Sequence, residues 1–194
     1  MADQPAPLAA PDLELLDDAG RPRRLAEFWS RGPAVFVFVR HLGCPFCREE
    51  AARMRTDAPR FVAAGAELVL VTMSSPDDAA AFRTRFQLPF TVLADPEQAA
   101  YQAFGVPRGG VMQLMGPQTW SVGLGATLAH GVGVPSGDVR QLSGAYVVDS
   151  TGTIRYAHAA KNSADLPSHE ALLHAVLAAI DARSLNDGED AYEV

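Results

Sequence analysis

Cys44 and Cys47 are the only cysteines in the chain, and they stand three residues apart in the segment VFVFVRHLGCPFCREEAARM, Val35 to Met54. A pair at this spacing can close a local disulfide or share a metal, so redox and metal chemistry are the classes to weigh first. Three polar neighbours could assist a thiolate. His41 could act as a cation or carry a proton, and Arg40 and Arg48 could add positive potential to the sulfur or to a bound oxygen. Each also has a plainer reading, as a solvated loop or helix charge.

The elements that must position this pair are legible on either side of it. Val35 to Val39 is a short β-branched and aromatic run, the composition of a strand buried on both faces. After the pair, Cys47, Ala51, Met54, Ala58, Phe61 and Val62 recur at helical spacing, with Arg48, Glu49, Arg53 and Arg55 largely on the other side. With Cys44 as N-cap, Pro45 occupies the first helical position, where its fixed φ suits the helix and its missing N–H costs nothing. The amides of Phe46 or Cys47 could then hold the Cys44 sulfur, and the helix end favours its thiolate. Such sites lower a cysteine pKa from about 8.5 by one to several units. Cys44 is then the attacking sulfur, and Cys47, one turn in, resolves the mixed species. Glu49 and Glu50 are first-turn carboxylates favoured by the helix dipole.

Zinc is the rival chemistry. His41, Cys44 and Cys47 offer three ligands where a closed site needs four, so His130, His158, His169 or His174 would have to complete it. No Gly-rich phosphate loop follows a strand, and neither a metal nor a bound cofactor is expected.

At 194 residues and 48% hydrophobic content, the chain can bury one good core. A net charge of −7 argues against a nucleic-acid surface. MADQPAPLAAPD has no positive leader, and no apolar run approaches the roughly 20 residues that span a bilayer. The expectation is a cytoplasmic chain without membrane contact: a loose segment over 1–11, one domain over 12–185 and a disordered acidic tail over 186–194.

Along the domain, Leu13 to Leu16 and Arg23 to Leu25 flank a turn-like Asp17-Asp18-Ala19-Gly20 and predict a small hairpin. Pro59 should kink or break the cysteine helix, and Gly65 should end it. Glu67 to Thr72 predicts a second strand, and Ser75-Pro76-Asp77-Asp78 opens a helix carrying Ala79, Phe82 and Phe86. Phe90 to Leu93 predicts a third strand, followed by a helix opened by a capping box at Asp95-Pro96-Glu97-Gln98 with Tyr101 and Phe104 on its apolar face. The Gly-rich stretch 106–140 breaks the rhythm; Leu114 to Met115 and Val122 to His130 are candidate short helices, and its roles are to cover the cysteines, to form a homodimer interface or to pad the core. Ala145 to Val148 and Thr153 to Ala157 form a hairpin, and Pro167-Ser168 starts a last helix with Leu172, Leu173, Val176, Leu177 and Ile180 facing the core. Strands and helices in this order predict an α/β domain with a mixed sheet.

The segment Phe38-Val39-Arg40-His41-Leu42-Gly43-Cys44-Pro45-Phe46-Cys47-Arg48-Glu49-Glu50-Ala51 resembles the peroxiredoxin-like branch of the alkyl hydroperoxide reductase/thiol-specific antioxidant (AhpC/TSA) family, within the thioredoxin-like superfamily. The resemblance extends through Leu93 to Pro96 and Gln141 to Asp149 to Tyr156-Ala157-His158, covering roughly residues 12–182. It implies a thioredoxin-like fold and an antioxidant oxidoreductase that reduces a peroxide, endoperoxide or disulfide, recharged by a thioredoxin-type or low-molecular-weight thiol. Peroxiredoxins place a Pro seven residues and a Thr or Ser three residues before the attacking cysteine, and an Arg near the later hairpin. With Cys47 in that place, Arg40 and Cys44 stand at the first two positions; with Cys44 there, Val37 and His41 do. Ser143 stands near the Arg in either case. The helix-cap reading favours Cys44 as nucleophile and the family register favours Cys47. A different class also fits: a non-catalytic redox sensor or interaction domain switched by the Cys44–Cys47 disulfide.

Overall fold

A computed structural model describes residues 8–110, 138 and 140–189. Val35 to Phe38 does form a strand, β3 (Ala34–Phe38), and every residue in it is buried. Its alternation divides the interior. Val35 and Val37 pack on one side with Leu68, Leu70, Val92, Ala145 and Val147. Ala34, Phe36 and Phe38 pack on the other with Val69, Val71, Leu93, Tyr146 and Val148. Only a strand covered on both faces has use for such an unbroken apolar run.

Around β3 the sheet is seven-stranded and mixed, in the order β2-β1-β5-β4-β3-β6-β7. β4 (Glu67–Thr72) and β5 (Thr91–Ala94) run parallel to β3, while β6 (Gly144–Val148) and β7 (Ile154–Ala159) form the antiparallel hairpin. The N-terminal hairpin, β1 (Glu14–Asp17) and β2 (Pro22–Arg24), joins the same sheet through β1 and β5. Helices α2 (Pro45–Ala63), α3 (Pro76–Phe86) and α5 (His169–Glu189) cover the Val35 face; α1 (Ala26–Trp29) and α4 (Ala99–Ala103) cover the Phe36 face. This is the expected α/β architecture.

Several local expectations change. Residues 8–10 are tied down: Ala10 N–H donates to Gly152 O at 2.7 Å and Ile154 N–H to Leu8 O at 2.9 Å, so the loose segment does not extend to residue 11. Pro59 neither breaks nor ends α2, which continues to Ala63. The carbonyl that Pro59 deprives of a donor belongs to Arg55, and both residues are exposed, so water can serve it. The helix stops where Gly65, at φ +73°, closes a double turn in which Gly65 N–H donates to Val62 O and Ala66 N–H to Phe61 O, both at 2.9 Å. Val62 and Leu177, read as core-facing, are 70% and 53% exposed. No capping box opens α4. Instead the Asp95 carboxylate accepts from the amides of Ala99, Ala100 and Tyr101. Helix α5 reaches Glu189, into the stretch read as a disordered tail. The candidate helices at Leu114 to Met115 and Val122 to His130, and with them the role of 106–140, lie outside the described residues.

Candidate active site

Strand β3 ends and helix α2 begins six residues apart, and that crossing holds the candidate residues together. Cys44 is the N-cap of α2, with extended backbone and Pro45 next in line. Its own N–H donates to His41 O at 2.9 Å, which closes the turn leaving the strand. The expected cap bond from the Cys44 sulfur to the Phe46 or Cys47 amide is not formed, although both amides favour the thiolate electrostatically. Cys47 sits one turn inside and accepts from the Arg40 amide at 3.3 Å. Both sulfurs are buried, Cys44 2% and Cys47 1% exposed, and both cysteines are free.

The two thiols differ in acidity. A hydrogen bond from the Cys47 thiol, then the Arg40 charge and the nearby amides, bring Cys44 down to about 6 against the cost of its burial. Burial first, then the donated bond and the neighbouring Cys44 charge, hold Cys47 well above the usual thiol range. These neighbours favour the negative charge on Cys44 and the shared proton on Cys47.

Arg40 is not the solvated charge of the plainer reading. It is 8% exposed, its Nη1 lies 3.7 Å from Cys44 Sγ, and its Nε donates to Gln141 O at 2.9 Å. Arg48, expected on the outer helix face, is 6% exposed and donates from Nε to Leu42 O at 2.9 Å, inside the same loop. His41 is buried, and burial together with Arg40 and Arg48 lowers its pKa to about 4. It is thus neutral at pH 7, and the expectation of a cationic helper does not hold. Its Nδ1 has no hydrogen-bond partner among the described residues.

Two supporting residues come from distant parts of the chain. The Tyr101 hydroxyl lies 2.5 Å from Val39 O and 3.0 Å from Val71 O, pinning the strand exit just before Arg40. Gln141, which stands in the sequence only at the start of the Gln141 to Asp149 resemblance, supplies a carbonyl that holds Arg40. Tyr101 reads in the sequence as an apolar helix position, and nothing there signals its hydroxyl contact. His158 is not drawn in; it lies 3.1 Å from Asp165. Among the described residues no group of three or more His, Cys, Asp or Glu is arranged to hold a metal.

A cavity of about 620 Å³ opens at the other end of the sheet, lined by Gly32, Glu67, Phe90 and the arginines Arg31, Arg55 and Arg83. Neither cysteine lines it. Both cysteines and the buried Arg40 and Arg48 lie instead at the crossing from β3 to α2.

The AhpC/TSA family model matches residues 8–157. The chain is 33% identical over 110 residues to chloroplastic peroxiredoxin Q of Sedum lineare, covering 57% of this chain and 59% of that protein. Chloroplastic peroxiredoxin Q of Oryza sativa subsp. japonica is 36% identical over 115 residues, 58% of this chain and 51% of that one. The chain thus spans about half to three fifths of the length of these curated relatives. Among solved structures, peroxidoxin BcpB of Mycobacterium tuberculosis superposes with a TM-score of 0.66 at 25% identity, over 90% of this chain and 96% of that one.

Proposed function

The chain belongs to the AhpC/TSA family, and from that premise we propose that it is a thiol peroxidase in which Cys44 attacks and Cys47 resolves. The observation that carries the assignment of roles is geometric: Arg40 Nη1 lies 3.7 Å from Cys44 Sγ at the helix N-cap, while Cys47 sits one turn deeper. The peroxiredoxin names of its relatives support a peroxide as substrate. The burial of Cys44 supports a small one over a protein disulfide, because a residue 2% exposed admits few atoms at a time.

The Cys44 thiolate attacks one oxygen of the O–O bond, forming an S–O bond as the second oxygen leaves with the electron pair and takes up a proton to become water or an alcohol. Cys44 is then a sulfenic acid. Cys47 loses its proton and attacks that sulfur, expelling water and closing the Cys44–Cys47 disulfide. An external dithiol of thioredoxin type, or two low-molecular-weight thiols, returns two electrons and two protons. Arg40 offsets negative charge on sulfur before attack and on oxygen as it leaves. An endoperoxide would react at the same bond. The chain's only cysteines form this pair, so we keep a reducing compartment, the cytoplasm, as its working place.

The test is intact mass after a pulse of stoichiometric hydrogen peroxide on the reduced protein. Wild type should lose two hydrogens, Cys47→Ser should trap one added oxygen on Cys44, and Cys44→Ser should not react. Oxygen trapped on Cys47 in the Cys44→Ser protein would reverse the roles. Disulfide formation without sustained turnover against any thiol reductant would favour the redox-sensor reading.

A further inference from the structure

Gln141 is 101 residues from Arg40 in sequence and carries no charge, yet its backbone carbonyl accepts from the Arg40 guanidinium. Its side chain is 2% exposed, and its Nε2 faces three carbonyl oxygens: Pro107 at 3.0 Å, Val106 at 3.2 Å and Leu142 at 3.3 Å. These contacts fasten the strand-like segment after α4 to the segment entering β6. The backbone crosses there as well, through Leu142 N–H to Pro107 O at 3.0 Å and Gly109 N–H to Arg140 O at 2.7 Å. From this crossing the Gln141 carbonyl reaches across to Arg40 Nε, leaving Nη1 over Cys44 Sγ. A carbonyl can aim a guanidinium only if its own peptide is fixed; here Leu142 N–H, in the same peptide unit, and the Gln141 side-chain amide both hold it against the segment after α4.

We propose that Gln141 is a positioning residue for the thiolate: its side-chain amide locks the peptide whose carbonyl aims Arg40 at Cys44. The proposal rests on Cys44 being the thiolate-bearing sulfur. It adds that the acidity of Cys44 is set from the far side of the sheet entry, by the residue that joins the two ends of the 106–140 stretch. Without the amide only the Leu142 N–H bond to Pro107 O still restrains that peptide, so the carbonyl tilts more freely and the guanidinium is aimed less tightly at the thiolate. Arg48, held by the separate Leu42 carbonyl, is untouched by the change.

The experiment is the pH dependence of Cys44 alkylation by iodoacetamide in the reduced protein, mapped by peptide mass. It is run on wild type, Gln141→Met, Arg40→Leu and the double variant. Gln141→Met keeps the side-chain volume and removes the amide. It should raise the Cys44 midpoint by about one pH unit, the lower end of what a neighbouring opposite charge contributes. Arg40→Leu should raise it by at least as much. The double variant should match Arg40→Leu alone, because Gln141 acts only through that guanidinium. A Gln141→Met midpoint equal to wild type, or a shift that adds in full on the Arg40→Leu background, overturns the proposal. If Gln141→Met does not fold, Gln141→Asn, which keeps the amide but shortens its reach, takes its place with the same expected direction. Wild type is the internal control. An ordinary midpoint there defeats the thiolate reading itself, whereas a low wild-type midpoint with unmoved variants defeats only the positioning role.

Discussion

Two buried histidines flank helix α2 and are driven in opposite directions. His41, before its first turn, lies beside Arg40 and Arg48 and falls to about 4. His169, on α5, places Nε2 3.0 Å from Glu50 and Nδ1 2.7 Å from Asp57 of α2. Burial alone would depress it too, but those carboxylates outweigh burial and raise it. The burial is comparable, His41 8% and His169 4% exposed, so neighbouring charge decides the sign. One helix therefore carries two electrostatic regimes. Its N-terminal end gathers positive charge around the cysteines, and about two turns later its carboxylates favour the charged form of a histidine and tie α5 to α2.

The clamp should be the more costly of the two to break. His169→Leu leaves the fully buried Glu50 carboxylate with only Arg53, at 3.6 Å, to balance it. Removing one partner from a buried ion pair is expected to cost about 3 kcal/mol, measured by guanidinium unfolding near neutral pH. A loss under about 1 kcal/mol would mean that the pair contributes no more than an exposed ion pair.

A pH series sharpens the contrast. Because the folded pKa of His169 lies above its unfolded value, its contribution is fully present below about 6.5 and is lost as pH rises through the folded pKa. Cys44 runs the other way. Its folded pKa, about 6, lies below its unfolded value, so its contribution is present at alkaline pH and is lost as pH falls through 6. In a Cys44→Ser background, stability should therefore decline as pH is raised above 6.5, and His169→Leu should flatten that decline. An unchanged slope after His169→Leu would assign it to other groups.

The smallest effect is expected at His41. As a neutral group it cannot attract the thiolate through charge, so His41→Gln should leave the Cys44 alkylation midpoint within about half a unit of wild type. A rise as large as that from Arg40→Leu would restore the cationic role. Peroxide turnover of the same variant separately reports whether the unpartnered Nδ1 contacts substrate.

What the sequence made legible follows from how local each cause is. Pro45 after an N-cap, the apolar β3 run and the Gly65 stop depend on neighbouring residues, and each lies where local rules put it. Arg48 and Val62 were assigned to the wrong faces of α2 because helical periodicity marks an average stripe, whereas a loop carbonyl buries one and the cavity at the sheet end exposes the other. Arg40 with Gln141, and His169 with Glu50 and Asp57, join residues more than a hundred positions apart. No spacing rule connects such pairs; only the packing of β6 beside β3 and α5 against α2 does. The roles of the two cysteines stood open for a related reason, since local capping and family register disagreed and the acidity depends on burial and on Arg40.

The most direct measurement is the pH dependence of alkylation of reduced wild-type protein, with each cysteine followed by peptide mass. The account predicts that Cys44 is modified first, with a midpoint at about 6, and that Cys47 resists across the neutral range. Preferential modification of Cys47, or a Cys44 midpoint near the ordinary value of about 8.5, would contradict it.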